Sequence, residues 1–464
     1  MLAELLDRGE LVVSVYGLGY VGLALAAAWS RAGAKIIGVD VDPEKVASLS
    51  NGVVEYVEDD VRRAVEEAIK AGRMLATTDG DVASIKSKVK IIAVPVHLVA
   101  TRPSIEVDFS ALISAARAIA QGLKREDLVI VESSVPPGTT EEVVRPVLEE
   151  SGLTAEEDFY LAYSPERIMV GHALKDIEEN YPKVVAGVGP KSAEEAAALY
   201  KRIAKRGVIK LSSIRAAEFE KLLEGVYRDV NIALANEMAR LASALGVPFA
   251  EARTAANSQP YSHVHKPGAG VGGSCIPVYP YFLMWIAERA GLDLPLTATA
   301  RAINEEQPHR VAEAAIRAMI RGGVNPVEAK IAVLGLAFRG DVDDTRRSPT
   351  YDIIAALLDF GIKPQNIVVH DPYVKQDRAL EKLGIRLTHS LDEALAGASL
   401  AIISTDHSAY KIKASELVRH MKSPVVVDAR GVVEADVPVY SIDGGRWPVE
   451  RRAPVGAAEH KRRC

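Results

Sequence analysis

Short apolar runs rich in β-branched residues alternate, along the first part of the chain, with stretches of helical periodicity. Leu11 to Tyr16, Lys35 to Val39, Val89 to Val94 and Leu128 to Val131 read as strands, and Ala24 to Ala32 as a helix between the first two. Such alternation predicts an α/β fold on a doubly wound parallel sheet, because parallel strands need crossover helices that cover both faces. The texture changes near Ser212. From Ser213 to about Leu245 there is a single helical pattern, in which Leu222, Val226, Val230, Ala233, Glu237 and Leu241 recur at spacings of three and four, with one polar exception. A helix of that length exceeds what one small domain needs, and predicts a spine between two domains and a dimer contact. Alternation resumes at Lys330, with strands at Ile331 to Leu334, Ile367 to His370, Leu400 to Ser404 and Val425 to Asp428, and a helix over Thr350 to Leu358.

Composition narrows the class. At roughly 100–200 residues per domain, 464 residues make two or three domains. A net charge of -6 predicts no nonspecific attraction to nucleic acid or to an anionic membrane. The longest apolar runs, such as Leu23 to Trp29, are far too short for a membrane span. The two cysteines, Cys275 and Cys464, make no disulfide framework and fit a reducing compartment. The N-terminal residues lack a basic region followed by an apolar core, so a cytoplasmic location is expected. No metal site is expected: His263 and His265 lie close together without a partner at zinc-like spacing, and His370-Asp371-Pro372 reads as a strand-end turn. The Arg- and Pro-rich tail after Asp443 is expected to be loosely ordered.

Gly17-Leu18-Gly19-Tyr20-Val21-Gly22 follows a strand and opens a helix, the context a dinucleotide-binding turn requires. The first glycine permits the tight turn, the second lets the backbone approach the pyrophosphate, and the third lets helix and strand pack closely. The helix N-terminus offers free N–H groups to phosphate. Asp40 closes the second strand and would accept from the ribose hydroxyls of NAD while repelling the extra phosphate of NADP; Lys45 reaches toward pyrophosphate or ribose.

Several further segments, in order along the chain, resemble the UDP-glucose/GDP-mannose dehydrogenase family: SSVPPGTT (Ser133–Thr140), YSPERI (Tyr163–Ile168), KLLEGVYRDVNIALANE (Lys221–Glu237), PGAGVGGSCIP (Pro267–Pro277) and GLAFRGDVDDTRRSP (Gly335–Pro349). The wording is most similar to the branch acting on UDP-N-acetylmannosamine or UDP-N-acetylglucosamine. The resemblance implies a Rossmann-like NAD-binding domain over 1–211, a helical dimerisation domain with the cysteine loop over 212–325, and a Rossmann-like UDP-binding domain over 326–464. It implies a homodimeric, NAD-dependent oxidoreductase of polysaccharide biosynthesis that converts the primary alcohol of a UDP-sugar to a carboxylate. Cys275 would be the nucleophile that traps the aldehyde, and it needs a nearby cation or dipole to favour the thiolate. Lys221 would stabilise the alkoxide and Glu166 would activate water. The cofactor would touch Gly17, Gly19, Tyr20, Val21, Gly22, Asp40, Lys45, Ser134 and Arg346. The substrate would touch Arg167, Ile168, Lys221, Arg228, Gly272, Phe338, Arg339 and Arg430, arginines being suited to diphosphate.

Four departures from the family pattern concern the active site. Gly225 stands where the family has Asn, Tyr279 where it often has Asp, and Gln259 and Tyr261 where it often has His and Arg; Val94-Pro95-Val96-His97 lacks a threonine. Glycine inside a helix is unfavourable by roughly 1 kcal/mol relative to alanine, so space is expected to matter at Gly225, with water or a bulky substrate group filling it. Tyr279 is expected in an aromatic cluster with Tyr281 and Phe282. Three alternatives stay open: a UDP-glucose dehydrogenase, a paralogue that binds NAD and nucleotide-sugar without turnover, and a β-hydroxyacid dehydrogenase that would need no cysteine.

Overall fold

The computed structural model describes residues 1–440 apart from Val57 and Arg102, together with the backbone of Ser441 and of Arg446–Trp447. The rest of the tail, with Cys464, lies outside the described residues. The chain divides into two compact units, Met1–Tyr227 with Val278–Pro295, and Arg228–Pro277 with Leu296–Cys464.

The first unit is built on a sheet of eight strands in the order Val208–Lys210, Lys183–Gly187, Tyr160–Tyr163, Leu128–Val131, Val89–Ile92, Val12–Tyr16, Lys35–Val39, Met74–Thr77. Val13 pairs with Ile36 on one side and Val89 on the other, so the first strand is central. Leu128–Val131 is buried at every position, which explains why it is a continuous apolar run rather than an alternating one; Val89–Ile92 is equally buried, and its one charge, Lys90, pairs with the buried Asp127. Tyr160–Tyr163 and Lys183–Gly187 pair antiparallel, a departure from the parallel expectation. The segment between them holds only the short turns Ala173–Lys175 and Asp176–Asn180, and returns the chain beside its own strand. The strand expected to run to Val94 ends at Ile92, and a two-stranded ribbon, His97–Ala100 with Glu106–Asp108, follows unforeseen. The helix Tyr20–Arg31 is buried along most of its length; its alanines let it lie close against the sheet.

In the second unit the sheet order is Arg386–Thr388, Ile367–His370, Ile331–Leu334, Leu400–Ile403, Val425–Asp428, Val439–Ser441, Arg446–Trp447, with only the last pair antiparallel. Both sheets therefore place their first strand between the second and fourth, the doubly wound arrangement whose strand order reverses there. The expected long helix spans Ile214–Leu245. Its buried Asp229 takes the guanidinium of Arg301 at 2.6 Å and the amide of Asn304 at 2.9 Å, both from the helix Pro295–Arg321. Among the described residues no helix is long and apolar enough to cross a membrane.

Candidate active site

At the end of the first strand Gly17 takes φ +93°, and a Cβ there would lie 2.7 Å from the Ala93 carbonyl oxygen. A Cβ on Gly22 would lie 1.7 Å from the Gly17 carbonyl oxygen, so helix and strand approach as only glycine allows. Nothing lies within 4 Å of the Cβ position of Gly19, which leaves the N-terminus of the helix Tyr20–Arg31 open to a phosphate. Asp40 accepts from the Leu18 amide at 2.9 Å, the Asp42 amide at 3.1 Å and Lys45 Nζ at 2.9 Å. Burial would raise the Asp40 carboxyl, but Lys45 and the two amides outweigh it and hold it below its usual range. These residues fit an NAD half-site: an open helix N-terminus and an ionised carboxylate at the second strand's end. Lys45 is paired with that carboxylate in this structure. Tyr20 stacks on Tyr56 at 5.0 Å and bonds Glu58, which caps the Gly171 and Ala173 amides at 2.8 Å.

The same unit holds Lys221, 8% exposed on the long helix. One turn earlier Glu218, fully buried, accepts from the amides of Gly138 and Thr140 at 2.5 and 2.8 Å, which pins the SSVPPGTT turn to this helix. Burial pushes the Glu218 carboxyl up to about 7 against those bonds. Gly225, one turn beyond Lys221, is not filled from outside. A Cβ there would meet Tyr279 Cδ2 at 2.4 Å, so the Tyr279 ring occupies the space, and the expectation of water or a substrate group is corrected. The Tyr279 hydroxyl meets Ser134 Oγ at 2.8 Å, and Lys221 Nζ lies 5.7 Å from the ring centroid. Sequence reasoning singled out all four residues separately and did not foresee that they meet.

Glu166 is buried, and its carboxylate accepts from Lys183 Nζ at 2.6 Å and from the Arg167 and Ile168 amides at 2.7 and 3.1 Å. Lys183 also bonds Glu132 at 2.7 Å, and Tyr200 donates to Glu132. Burial raises the Glu132 carboxyl despite Lys183, whereas the two carboxylates outweigh burial and keep Lys183 a cation. Glu132 and Lys183 were missed. Their one signal is a charge at the edge of an otherwise apolar strand. The Arg167 guanidinium, expected on substrate, is committed here to Glu220 at 3.2 Å, Glu224 at 2.9 Å and the Pro182 carbonyl at 2.7 Å.

In the second unit the glycine-rich loop packs on the segment after the strand Ile331–Leu334. A Cβ on Gly272 would lie 2.6 Å from Phe338 Cβ. Gly273 takes φ +90°, and its amide donates to the Arg346 carbonyl at 2.9 Å. Cys275 follows, exposed, with Ser274 Oγ 3.7 Å from its sulfur. The Arg346 side chain is exposed and paired with Asp344 at 2.6 Å. Arg430 donates to the Ser404 carbonyl at 2.7 Å. Burial lowers its affinity for the proton, with Asp406 and Asp428 opposing, so an anionic ligand would supply counter-charge there. Arg228 is exposed on the long helix. Among the described residues no group of three or more His, Cys, Asp or Glu is placed to hold a metal ion.

Three family profiles match consecutive parts of the chain: the NAD-binding domain of the UDP-glucose/GDP-mannose dehydrogenase family at residues 11–204, its central domain at 215–306 and its UDP-binding domain at 332–435. The chain belongs to the UDP-glucose/GDP-mannose dehydrogenase family. It is an NAD-dependent oxidoreductase. Among its relatives, the UDP-N-acetyl-D-mannosamine dehydrogenase of Pyrococcus horikoshii is 36% identical over 425 residues, which cover 91% of this chain and 96% of the relative. The NDP-N-acetyl-D-galactosaminuronic acid dehydrogenase of Ralstonia nicotianae is 34% identical, covering 91% and 96%. A solved structure of UDP-D-ManNAc dehydrogenase from Pyrococcus horikoshii superposes with TM-score 0.84 at 34% identity, covering 94% of this chain and all of that one. Within this family the Gly225 and Tyr279 departures lie at the Lys221 site, whereas Gln259 and Tyr261 lie on a loop where Tyr261 is 93% exposed.

Proposed function

We propose that the enzyme oxidises the primary alcohol of a UDP-N-acetylhexosamine, UDP-N-acetylmannosamine or UDP-N-acetylglucosamine, to the uronic acid. The observation that carries this reading is the exposed Cys275 thiol on a glycine loop packed against Phe338 and the Arg346 backbone. The relatives' reported substrates support it. NAD, when bound, accepts a hydride in each of the two oxidations. Lys221 holds the alkoxide as the proton leaves the alcohol. The Cys275 thiolate adds to the aldehyde carbon, giving a thiohemiacetal that is oxidised to a thioester. Glu166, fixed by Lys183, orients the water that releases the acid and the thiol. Phe338, Arg339 and Arg430 bind the uridine diphosphate; Arg167, Ile168, Arg228 and Gly272 serve the sugar; and Tyr20, Val21, Ser134 and Arg346 complete the cofactor contacts. These roles fall in the three segments 1–211, 212–325 and 326–464.

We further place the enzyme in the cytoplasm, where its thiol stays reduced, as a homodimer. The long helix carries the half-exposed apolar residues Phe219, Leu223, Tyr227, Leu234, Leu241 and Leu245 at heptad-like spacing, a stripe suited to a second copy. A second reading, binding without turnover, is favoured by the loss of Asn and Asp at positions 225 and 279. Product mass and NADH counting with UDP-N-acetylmannosamine, UDP-N-acetylglucosamine and UDP-glucose decide between them. Two NADH per UDP-N-acetylhexosamine, abolished in Cys275→Ala, is the expected result. Uronate formed at the normal rate by Cys275→Ala would overturn the nucleophile assignment, and bound sugar with no NADH would establish the second reading.

A further inference from the structure

Tyr279 opens the helix Tyr279–Arg289 and is 5% exposed. Its ring sits in the notch left by Gly225, with the would-be Cβ 2.4, 3.2 and 3.3 Å from its Cδ2, Cγ and Cβ. Its hydroxyl is bound to Ser134 at 2.8 Å, and its face lies 5.7 Å from the Lys221 ammonium. Three separate elements thus meet at one phenol: the loop after the strand Leu128–Val131, the long helix, and the helix after the cysteine loop. Ser134 is itself held beyond the C-terminal end of that strand, because its neighbour Ser133 bonds the Val94 carbonyl at 2.7 Å.

We propose that Tyr279 is the positioning residue of Lys221, and that glycine stands at 225 to admit its ring. The proposal rests on the reading of Lys221 as the cation that holds the alkoxide. A carboxylate at position 279 would pair with the ammonium and cancel part of its charge. An aromatic face attracts the ammonium through its quadrupole and leaves the charge intact. So placed, the ammonium can serve the oxygen that becomes negative during oxidation without a further counter-charge from position 279. The Ser134 bond stops the ring from swinging, and the Gly225 notch sets its depth. In this enzyme an aromatic wedge thereby orders the lysine from the two positions, 225 and 279, at which the chain departs from the family pattern.

The test is steady-state NADH formation, with KM for NAD and for the UDP-sugar and melting temperature measured on each variant of the full chain. Tyr279→Leu fills the notch without an aromatic face, and kcat should fall about 10- to 100-fold with KM changed little. Tyr279→Phe keeps the face and loses the Ser134 bond, and should retain kcat within about 5-fold. Gly225→Ala drives a methyl into the ring and should lower kcat about 10-fold, and in the Gly225→Ala/Tyr279→Leu pair the two losses should fail to add, because both act through the one ring. Equal kcat in Tyr279→Leu and Tyr279→Phe, or a loss in Tyr279→Leu matched by raised KM and a lowered melting temperature, overturns the proposal. Lys221→Ala separates the two levels. If it keeps full turnover, the reading of Lys221 itself fails; if it is inactive while Tyr279→Leu is normal, only the positioning role fails.

Discussion

Both sheets end their first strand on a glycine of positive φ, Gly17 at +93° and Gly335 at +105°, whose amide bonds the end of the second strand, Val39 at 2.8 Å and His370 at 2.7 Å. In both, the next amide is taken by an aspartate that follows the second strand: Leu18 by Asp40 at 2.9 Å and Leu336 by Asp371 at 2.7 Å. Beyond that shared turn the units part. In the first, a helix starts at Tyr20 and its N-terminus is open beside Gly19. In the second, the helix waits until Pro349, and the segment between is tied back by Gly340 on Asp406 at 3.0 Å and Asp341 on His407 at 2.9 Å. Asp40 keeps a lysine at its outer side, whereas Asp371 is fully buried against His407 at 3.0 Å. Because the Asp341 amide donates to His407 Nδ1, His407 carries its proton on Nε2, facing Asp371. One turn therefore serves two chemistries. Backbone N–H groups and an ionised carboxylate suit a dinucleotide, whereas in the proposed function the second unit's loop would offer the side chains of Phe338 and Arg339 to a uridine diphosphate.

The comparison can be broken most severely at Gly22. Gly22→Ala forces a methyl against the Gly17 carbonyl and should destabilise the first unit by about 3 kcal/mol or more, seen in calorimetry as loss of one unfolding transition with the other unchanged. Asp371→Ala should cost the second unit about 3 kcal/mol, by stranding His407 and the buried amides of Leu336, Ala337 and Val374, while the Kd for NAD stays the same. Asp40→Ala, at the matching position, should do the reverse: NAD binding weakened about 10- to 100-fold by titration calorimetry, with a smaller loss of stability. If Asp40→Ala and Asp371→Ala give the same pattern, the division of labour drawn here is wrong. Gly19→Ala meets open space, so its melting temperature should not move while NAD affinity falls about 10-fold or less.

Acid and alkali should act on the two units in opposite senses. Burial would raise the Asp371 carboxyl, but bonds from His407 and from the Ala337 and Val374 amides hold it well below its ordinary value of 3.8. Its stabilisation is present above 3.8 and is lost as pH falls through the depressed value. Glu218 is pushed up from 4.5 to about 7, so its contribution to the first unit is present below 4.5 and is lost as pH rises through about 7. Denaturant titrations across roughly pH 3 to 8 should flatten in this window for Glu218→Gln, and a wild-type slope in that variant would reject Glu218 as the source.

Much of this was legible along the chain. Four strands of each sheet, the long helix, the Gly17–Gly22 turn and Asp40 each announce themselves within a short stretch, because periodicity and turn chemistry are properties of neighbouring residues. Less visible were the antiparallel step at Tyr160–Tyr163, the ribbon at His97–Ala100 and the true occupant of the Gly225 notch. Gly225 advertised a need for space and Tyr279 an oddity at a usually acidic position, but neither names the other.

Order along the chain was enough to specify two alternating α/β halves, a glycine turn with a nucleotide-binding end on the first, and a cysteine just after a run of glycines, since each is written in adjacent residues. Folding alone chose the meetings of distant side chains: Tyr279 with Gly225 and Ser134, Lys183 with Glu132 and Glu166, His407 with Asp371. Those partnerships depend on which polar groups are buried together, and a buried charge or hydroxyl takes whatever partner packing brings within reach.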